Sequence, residues 1–144
     1  MNRFFRATAF AAALTFAAAG AHAATVKFKA DLKASSEVPP KNSAGTGTLT
    51  ATLNTDTHVL RYRVVFRGMT GPVIAAHFHG PAPVGVNAGP QIPVTANPII
   101  SPIRGKATLT PEQEKDLEDG NWYFNLHTKA NPGGEIRGQI YKVE

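Results

Sequence analysis

Two histidines, His77 and His79, stand one residue apart in the segment AAHFHGPAPVG. Residues i and i+2 of an extended strand point to the same face, about 6.5–7 Å apart, so a strand here would project both imidazoles together. Imidazole nitrogens bind copper, zinc and iron at about 2.0–2.1 Å. The pair predicts a metal site, although H-x-H alone also fits two strand-face histidines held by local hydrogen bonds.

Strand alternation adds a third histidine and an arginine to the same kind of face. In NWYFNLHT the tryptophan, the second aromatic after it and the leucine share one apolar face, which predicts that His127 lies on the opposite, outer face. In EIRGQIY the isoleucines take the core face and Arg137 the outer face. In VIAAHFH the same rule assigns Ile74, Ala76 and Phe78 to the core. We therefore predict a surface site of three histidines with an arginine.

Other site chemistries find little support. The chain has no cysteine, which excludes thiolate chemistry and disulfides. No serine lies in a G-x-S-x-G elbow, and GTGTLT lacks the lysine and the following helix of a phosphate loop. Basic residues are scattered and not interleaved with exposed aromatics, so nucleic acid is not an expected partner. A small anion is, because modest positive charge favours its approach.

The elements that would position these residues are strands. TVKFKADL, GTGTLTATLN and HVLRYRVVFRG alternate apolar with polar residues and are bounded by Gly, Asn or Asp. With four further runs they predict seven or eight antiparallel strands, and thus an all-β Greek-key sandwich or barrel. The uncharged, proline-rich 80–102 segment predicts coil or a weak edge strand.

One short helix is expected between the strands. Thr110 as N-cap, Pro111 at the first helical position, acids in the first turn and Gly120 after the end predict a solvated helix over PEQEKDLED.

The first 23 residues have the pattern of a secretory signal peptide. Arg3 and Arg6 precede an uncharged apolar stretch, and Ala21-His22-Ala23 provides a small-x-small cleavage site. We expect cleavage near Ala23, a periplasmic or secreted protein and no remaining membrane anchor. Residues 24–144 then form one domain, with 13 Lys and Arg against 10 Asp and Glu, a net charge of +3.

Several motifs together resemble the chordin-type (CHRD) domain across nearly the whole of residues 24–144. They are ASSEVPP, GTGTLTATLN, AAHFHGPAPVG, LTPEQEKDLEDGNWYFNLHT and NPGGEIRGQI. The resemblance implies a small exported β domain and a site more than it implies a reaction.

A more distant likeness is to copper-zinc superoxide dismutases, which are Greek-key β-barrels. By that resemblance His77 and His79 correspond to the H-x-H copper ligands, His127 to the late copper ligand, and Arg137 to the arginine that guides the superoxide anion. The loop after His79 contains no His or Asp, so the zinc site has no counterpart. The bridging histidine has none either, unless His58 folds in.

The sequence thus predicts a three-histidine copper site, with zinc as the alternative metal and superoxide dismutation as the preferred activity. Two alternatives stay open: a non-enzymatic extracellular binding module, and a copper carrier without turnover. Glu37 in the EVPP motif is a candidate partner near the site whose role the sequence leaves open.

Overall fold

The computed structural model describes residues 24–144; the predicted signal peptide, residues 1–23, lies outside the described residues. Within residues 24–144, nine strands form one sheet, and a single α-helix lies between β6 and β7. A 3-10 turn, Ala34–Ser36, follows the first strand. The elements are β1 Thr25–Lys33, β2 Thr46–Asn54, β3 Val59–Arg67, β4 Val73–His79, β5 Pro90–Pro93, β6 Ile103–Thr108, α1 Pro111–Glu118, β7 Tyr123–Thr128, β8 Ile136–Gln139 and β9 Tyr141–Val143.

The sheet is antiparallel and curls into a nearly closed barrel. Its strand order is β5-β4-β7-β8-β1-β2-β3-β6, with β9 also paired to β1. The chain crosses between the two halves of this order after β3, after β5 and after β6, which is the Greek-key style of connection. The predicted all-β fold is therefore confirmed, and the last predicted run forms two strands, because Ile140 interrupts the ladder.

Alternation along the strands builds the core. Phe28, Ala30 and Leu32 of β1 are buried, while Lys29 and Asp31 between them face outward. Phe78 of β4 lies at the centre of an aromatic cluster, with its ring centroid 4.8 Å from that of Phe124 and 4.9 Å from that of Tyr62. This packing fixes β4 and β7, the two strands that carry the histidines.

One core assignment in β4 is wrong. Ile74 is 58% exposed, and Val73 is buried instead. The register of β4 against β7 shifts between Val73 and Ala75, so the strict alternation that holds for residues 75–79 fails before the shift. A bulge of this kind leaves one residue unpaired and reverses the facing of those before it.

The helix forms as its sequence predicts. The Thr110 side chain accepts a hydrogen bond from the backbone N–H of Gln113, whose side chain accepts one from the Thr110 N–H. This capping box satisfies two free backbone donors, and Gly120 ends the helix region with φ +77°. No helix within residues 24–144 has the length and apolar character needed to cross a membrane.

Candidate metal centre

The structure brings the three predicted histidines together. One ring nitrogen from each of His77, His79 and His127 lies within 4.8 Å of the other two. Nitrogens that share one ion at about 2.0–2.1 Å lie no more than about 4.2 Å apart. Small ring rotations therefore convert the arrangement into a coordinating one, and the three residues could hold a metal ion.

Strand pairing produces this convergence. β4 and β7 lie side by side, with Ala75 opposite His127, His77 opposite Asn125 and His79 opposite Tyr123. On the far side of β7, Arg137 of β8 pairs with Asn125. Paired residues of antiparallel strands point to the same face, so the arginine lies on the histidine face, as the alternation predicted.

The backbone hydrogen bonds of two histidines direct their Nε2 lone pairs towards the cluster. Nδ1 of His79 lies 3.0 Å from the carbonyl oxygen of Ala88, and Nδ1 of His127 lies 2.9 Å from that of Pro132. Because a carbonyl only accepts, each Nδ1 carries the proton and each Nε2 carries a lone pair. Backbone carbonyls that hold the outer nitrogen in this way orient metal-binding histidines.

Two features inside the cluster favour a bound cation. The Nε2 atom of His79 is buried and has no hydrogen-bond partner among the described residues. The Nε2 atom of His127 lies 2.9 Å from Oδ1 of Asn125 and 3.2 Å from Nδ1 of His77, so polar ring atoms of two histidines converge there. A cation at this point would give the buried Nε2 of His79 a partner.

The electrostatics of the cluster keep two imidazoles neutral. Burial, followed by the charges of His127 and His79, lowers the pKa of His77. Burial likewise lowers the pKa of His79, against the hydrogen bond to Ala88, which raises it. Neutral imidazole is the form that binds metals, so the fold favours the binding-competent state.

The site is not the surface site that alternation predicted. His79 and His127 are buried, His77 is half-buried, and Arg137 is only 2% exposed. The 80–89 loop folds over this face, and its Ala88 backbone bonds both ways with the Tyr123 hydroxyl, at 3.1 Å each. Alternation gave the face correctly, but it carries no information on which loop covers that face.

Arg137 reaches the histidines through an aromatic ring. Its guanidinium carbon lies 3.4 Å from the centroid of the Tyr123 ring, which stacks on the His79 ring at 4.8 Å and an interplanar angle of 1°. The guanidinium also donates to Oδ1 of Asn87 at 2.8 Å and to the Val86 carbonyl at 2.6 Å. The arginine thus ties the 80–89 loop to the site.

Glu37 of the EVPP motif is buried beside Arg137 and Asn125. Burial raises its pKa to about 7, while the Arg137 charge, the Asn125 side chain, Lys41 and the backbone of Val38 lower it. Its Oε1 atom has no hydrogen-bond partner among the described residues. Glu37 therefore lies next to two side chains that flank the histidines, a position that the sequence alone could not give.

Glu135 shares the face of Arg137 but belongs to a separate cluster. Its carboxylate accepts hydrogen bonds from Ser43 at 2.6 Å, from the backbone and hydroxyl of Thr70 at 2.8 and 2.6 Å, and from Thr128. Burial alone would raise its pKa, but these hydrogen bonds lower the pKa to about 2. The cluster anchors the chain that enters β4 and the turn that leaves β7.

His58 lies away from the three histidines. Its Nδ1 atom is 2.6 Å from a carboxylate oxygen of Glu114 in the helix, and it is not part of the histidine group. No counterpart of a bridging histidine arises from it.

Tyr123 and Asn125 have no role in the prediction from sequence, although both contribute to the site. In NWYFNLHT they alternate in phase with His127, which is the signal that could have identified them.

A groove of about 360 Å³ reaches His77 from the side of β4 opposite β7. It is lined by the first residues of β4 and by the 94–99 segment. His77, the least buried of the three histidines, is the member of the cluster that lines this groove.

Comparison with known proteins gives one match. The family model described as the CHRD domain matches residues 28–140, a range that includes the three histidines, Glu37 and Arg137. No curated protein and no solved structure matches the chain.

Proposed function

The chain belongs to the CHRD-domain family, and from the histidine cluster that this domain carries we propose that it binds one copper ion through His77, His79 and His127. The observation that carries the proposal is the convergence of three imidazoles, two of which hold Nδ1 on a backbone carbonyl and turn Nε2 towards the cluster. An all-imidazole donor set suits copper, and zinc is its competitor, since geometry and availability decide between them.

We further propose that the site catalyses superoxide dismutation. When bound, copper supplies one-electron cycling, through which two superoxide anions and two protons become dioxygen and hydrogen peroxide. The resemblance to the copper ligands and guiding arginine of copper-zinc superoxide dismutases supports this activity, because the same residue types occur in the same order.

Arg137 has the role of anion guide in this proposal. Its positive charge lies next to the histidines through Tyr123, and burial strengthens its attraction for a small anion. The 80–89 loop and the turn after β7 cover the site from bulk water. The groove at His77 admits a diatomic anion to the cluster from the β4 side.

Copper carriage without turnover is the second candidate. The Arg137 guanidinium is already bonded to Asn87 and to the Val86 carbonyl, which reduces its capacity to hold an arriving anion. A carrier would use the same three ligands, bind Cu(I) tightly and produce no peroxide.

Metal titration and an activity assay separate these functions. We expect one equivalent of Cu(II) at neutral pH, lost in the His77→Ala/His79→Ala variant and retained in a His58→Ala control. Unchanged affinity in the double variant would overturn the metal site, and no stoichiometric uptake would favour a binding module. Dismutation by the copper-loaded protein must exceed that of free copper at the same concentration, or the enzymatic function fails.

We also propose that the protein is exported and cleaved near Ala23. The positive residues, apolar stretch and small-x-small site within residues 1–23 support this. Mass measurement of the protein isolated from the periplasm or medium tests it: a mass that includes residues 1–23 would contradict export by this route.

A further inference from the structure

The outer face of the barrel on the side away from the histidines carries a regular array of cations. β1, β2, β3 and β6 are neighbours in the sheet, and their paired residues point to the same side. One row across these strands is Lys27, Thr52, Arg61 and Lys106, and the next is Lys29, Thr50, Arg63 and Arg104. We call the six basic residues of these two rows the basic face.

Acidic residues neutralise little of the positive charge of this array. Five of its members are exposed and Lys29 is half-buried. Among residues 24–144, Lys29 is the only member of the basic face with an ion-pair partner, Asp31, at 3.8 Å. The next row consists of Asp31, Thr48 and Val65 and has no basic residue, and it separates the basic face from Lys33 and Arg67 in the row after it. Six of the 13 basic residues expected after cleavage thus occupy one surface of a domain whose net charge is only +3.

A shallow, open groove of about 590 Å³ runs over the basic face. It is lined by five of these basic residues together with Thr50, Thr52 and apolar floor atoms. Neighbouring strands are about 4.8 Å apart, so cations of β1 and β3 stand about 10 Å apart with a column of threonine hydroxyls between them. Along each strand the cations are about 6.5–7 Å apart.

An exposed aromatic residue extends one row. β9 pairs with β1 on its other side, where Tyr141 lies opposite Lys29 and Val143 opposite Lys27. Tyr141 is 44% exposed. Across the sheet, this row therefore contains an aromatic residue, a lysine, a threonine and two arginines in that order.

We propose that the basic face binds an anionic polysaccharide. Its carboxylate or sulfate groups pair with the lysines and arginines, its hydroxyls bond the threonine column, and a sugar ring packs on Tyr141. The groove can hold a polymer chain between its cations, whereas the surface of a bilayer is flat. Single-stranded nucleic acid requires several aromatic stacking positions, and this face offers one.

The site is independent of the histidine cluster, which lies on β4 and β7. Binding of a polysaccharide would hold the domain on an extracellular or cell-wall matrix, whatever the metal site does.

The test uses the full chain in its mature form, with heparin as the sulfated probe and polygalacturonate as the carboxylated probe. We expect the Arg61→Gln/Arg63→Gln/Arg104→Gln variant to lose at least about tenfold in affinity at 0.15 M salt, because each lost charge contact is only partly screened. The matched control is Lys33→Gln/Arg67→Gln/Lys129→Gln. It removes the same charge from exposed positions outside the basic face, two in the row after Asp31 and one in the turn after β7, and should bind within about threefold of the parent.

Tyr141→Ala separates stacking from charge. It should weaken binding without changing its salt dependence, because no charge is lost. Since all substituted side chains are exposed or half-exposed, the melting temperatures of the variants should match that of the parent, which shows that they fold.

Equal losses in the two triple variants would mean that only net charge matters, and would overturn the proposal. So would binding of phosphatidylglycerol vesicles, or of a single-stranded DNA oligonucleotide, with higher affinity than either polysaccharide and the same dependence on Arg61 and Arg63. Absence of binding to both polysaccharides would overturn it as well.

Discussion

The Nδ1 atom of His77 lies 3.2 Å from the Nε2 atom of His127, although the two residues are 50 positions apart in the chain. Their ring planes are inclined at 71°, with the ring centroids 5.1 Å apart. The contact arises because Ala75 of β4 pairs with His127 of β7, which sets the two rings on adjoining positions of one face. The rings are thus nearly arranged as ligands by the strands, and a bound metal requires little reorganisation.

We expect two adjacent glycines next to the site to differ strongly in their tolerance of alanine. Gly134 has φ +123°, and a Cβ there would lie 2.3 Å from Oε1 of Glu37 and 2.7 Å from Nδ2 of Asn125. A Cβ on Gly133 meets no atom within 4 Å. We expect Gly134→Ala to lower the free energy of unfolding by at least about 2 kcal/mol and to weaken copper binding, because Asn125 is displaced from His127.

Gly133→Ala serves as the control and should change the free energy of unfolding by no more than about 0.5 kcal/mol. Urea unfolding and copper titration of both variants provide the measurements. Similar behaviour of the two alanines would contradict the packing of Glu37 and Asn125 against residue 134.

We expect the Tyr123 hydroxyl to slow the release of a bound metal. Tyr123→Phe keeps the ring that stacks on His79 and contacts Arg137, but removes both hydrogen bonds to the backbone of Ala88. Stability should fall by about 1–2 kcal/mol. We expect transfer of copper to an added chelator to accelerate severalfold, because the 80–89 loop opens more often, with equilibrium affinity less affected than by loss of a histidine.

Tyr141→Phe is the matched control, since that hydroxyl is exposed on β9. Stopped-flow transfer to a chromophoric chelator measures both rates. If the two variants release copper at the same rate, the loop is not held by Tyr123.

The strands and the face of the histidines were predictable, because both depend on local alternation. His77, His79, His127 and Arg137 share a face for the same reason that Phe78 and Phe124 share the core. The helix was equally predictable, since Thr110, Pro111 and Gly120 are signals read within a few residues of each other.

What the sequence did not reveal depends on contacts between distant segments. The bulge that exposes Ile74 is set by pairing with β7, and no residue type in VIAAHFH marks it. Burial of His79 and Arg137 depends on the path of the 80–89 loop, whose proline-rich composition indicates only that it is not a helix. Glu37 is close to Arg137 because β1 pairs with β8 at Lys33 and Arg137, a register that neither segment encodes alone.

We expect the protein to lose stability in acid as Glu135 becomes protonated. Its pKa is about 2 in the folded protein against 4.5 for an ordinary glutamate, so the unfolded state binds the proton more readily. Its contribution to stability is therefore fully present above about pH 4.5 and is lost as the pH falls towards 2. Glu135→Gln should cost at least about 3 kcal/mol at pH 7, because an amide cannot accept from all the donors around it.

The difference in the free energy of unfolding between the parent and Glu135→Gln should shrink steadily between pH 4.5 and 2. Urea unfolding at several pH values measures it. Glu112→Gln, an exposed change in the first turn of the helix, is the control and should show no such convergence. A difference that stays constant down to pH 2 would contradict the assigned role.

Glu37 predicts the opposite pH dependence. Its pKa is about 7 in the folded protein, because burial outweighs Arg137 and Asn125, and 4.5 is its ordinary value. Here the folded state holds the proton more tightly, so stability is fully present below about pH 4.5 and falls as the pH rises through 7. At about 1.4 kcal/mol per pKa unit, the loss is roughly 2–4 kcal/mol.

Glu37→Gln keeps the shape of the side chain without its ionisation. We therefore expect this variant to lack the decline between pH 5 and 8 and to be more stable than the parent at pH 8, measured by urea unfolding. Equal pH dependence of parent and variant would show that Glu37 ionises freely, and hence that the Arg137 charge compensates fully for its burial. That outcome would also leave Arg137 neutralised by a carboxylate at physiological pH and would weaken its proposed role as anion guide, whereas a protonated Glu37 leaves the full positive charge of the arginine beside the histidines.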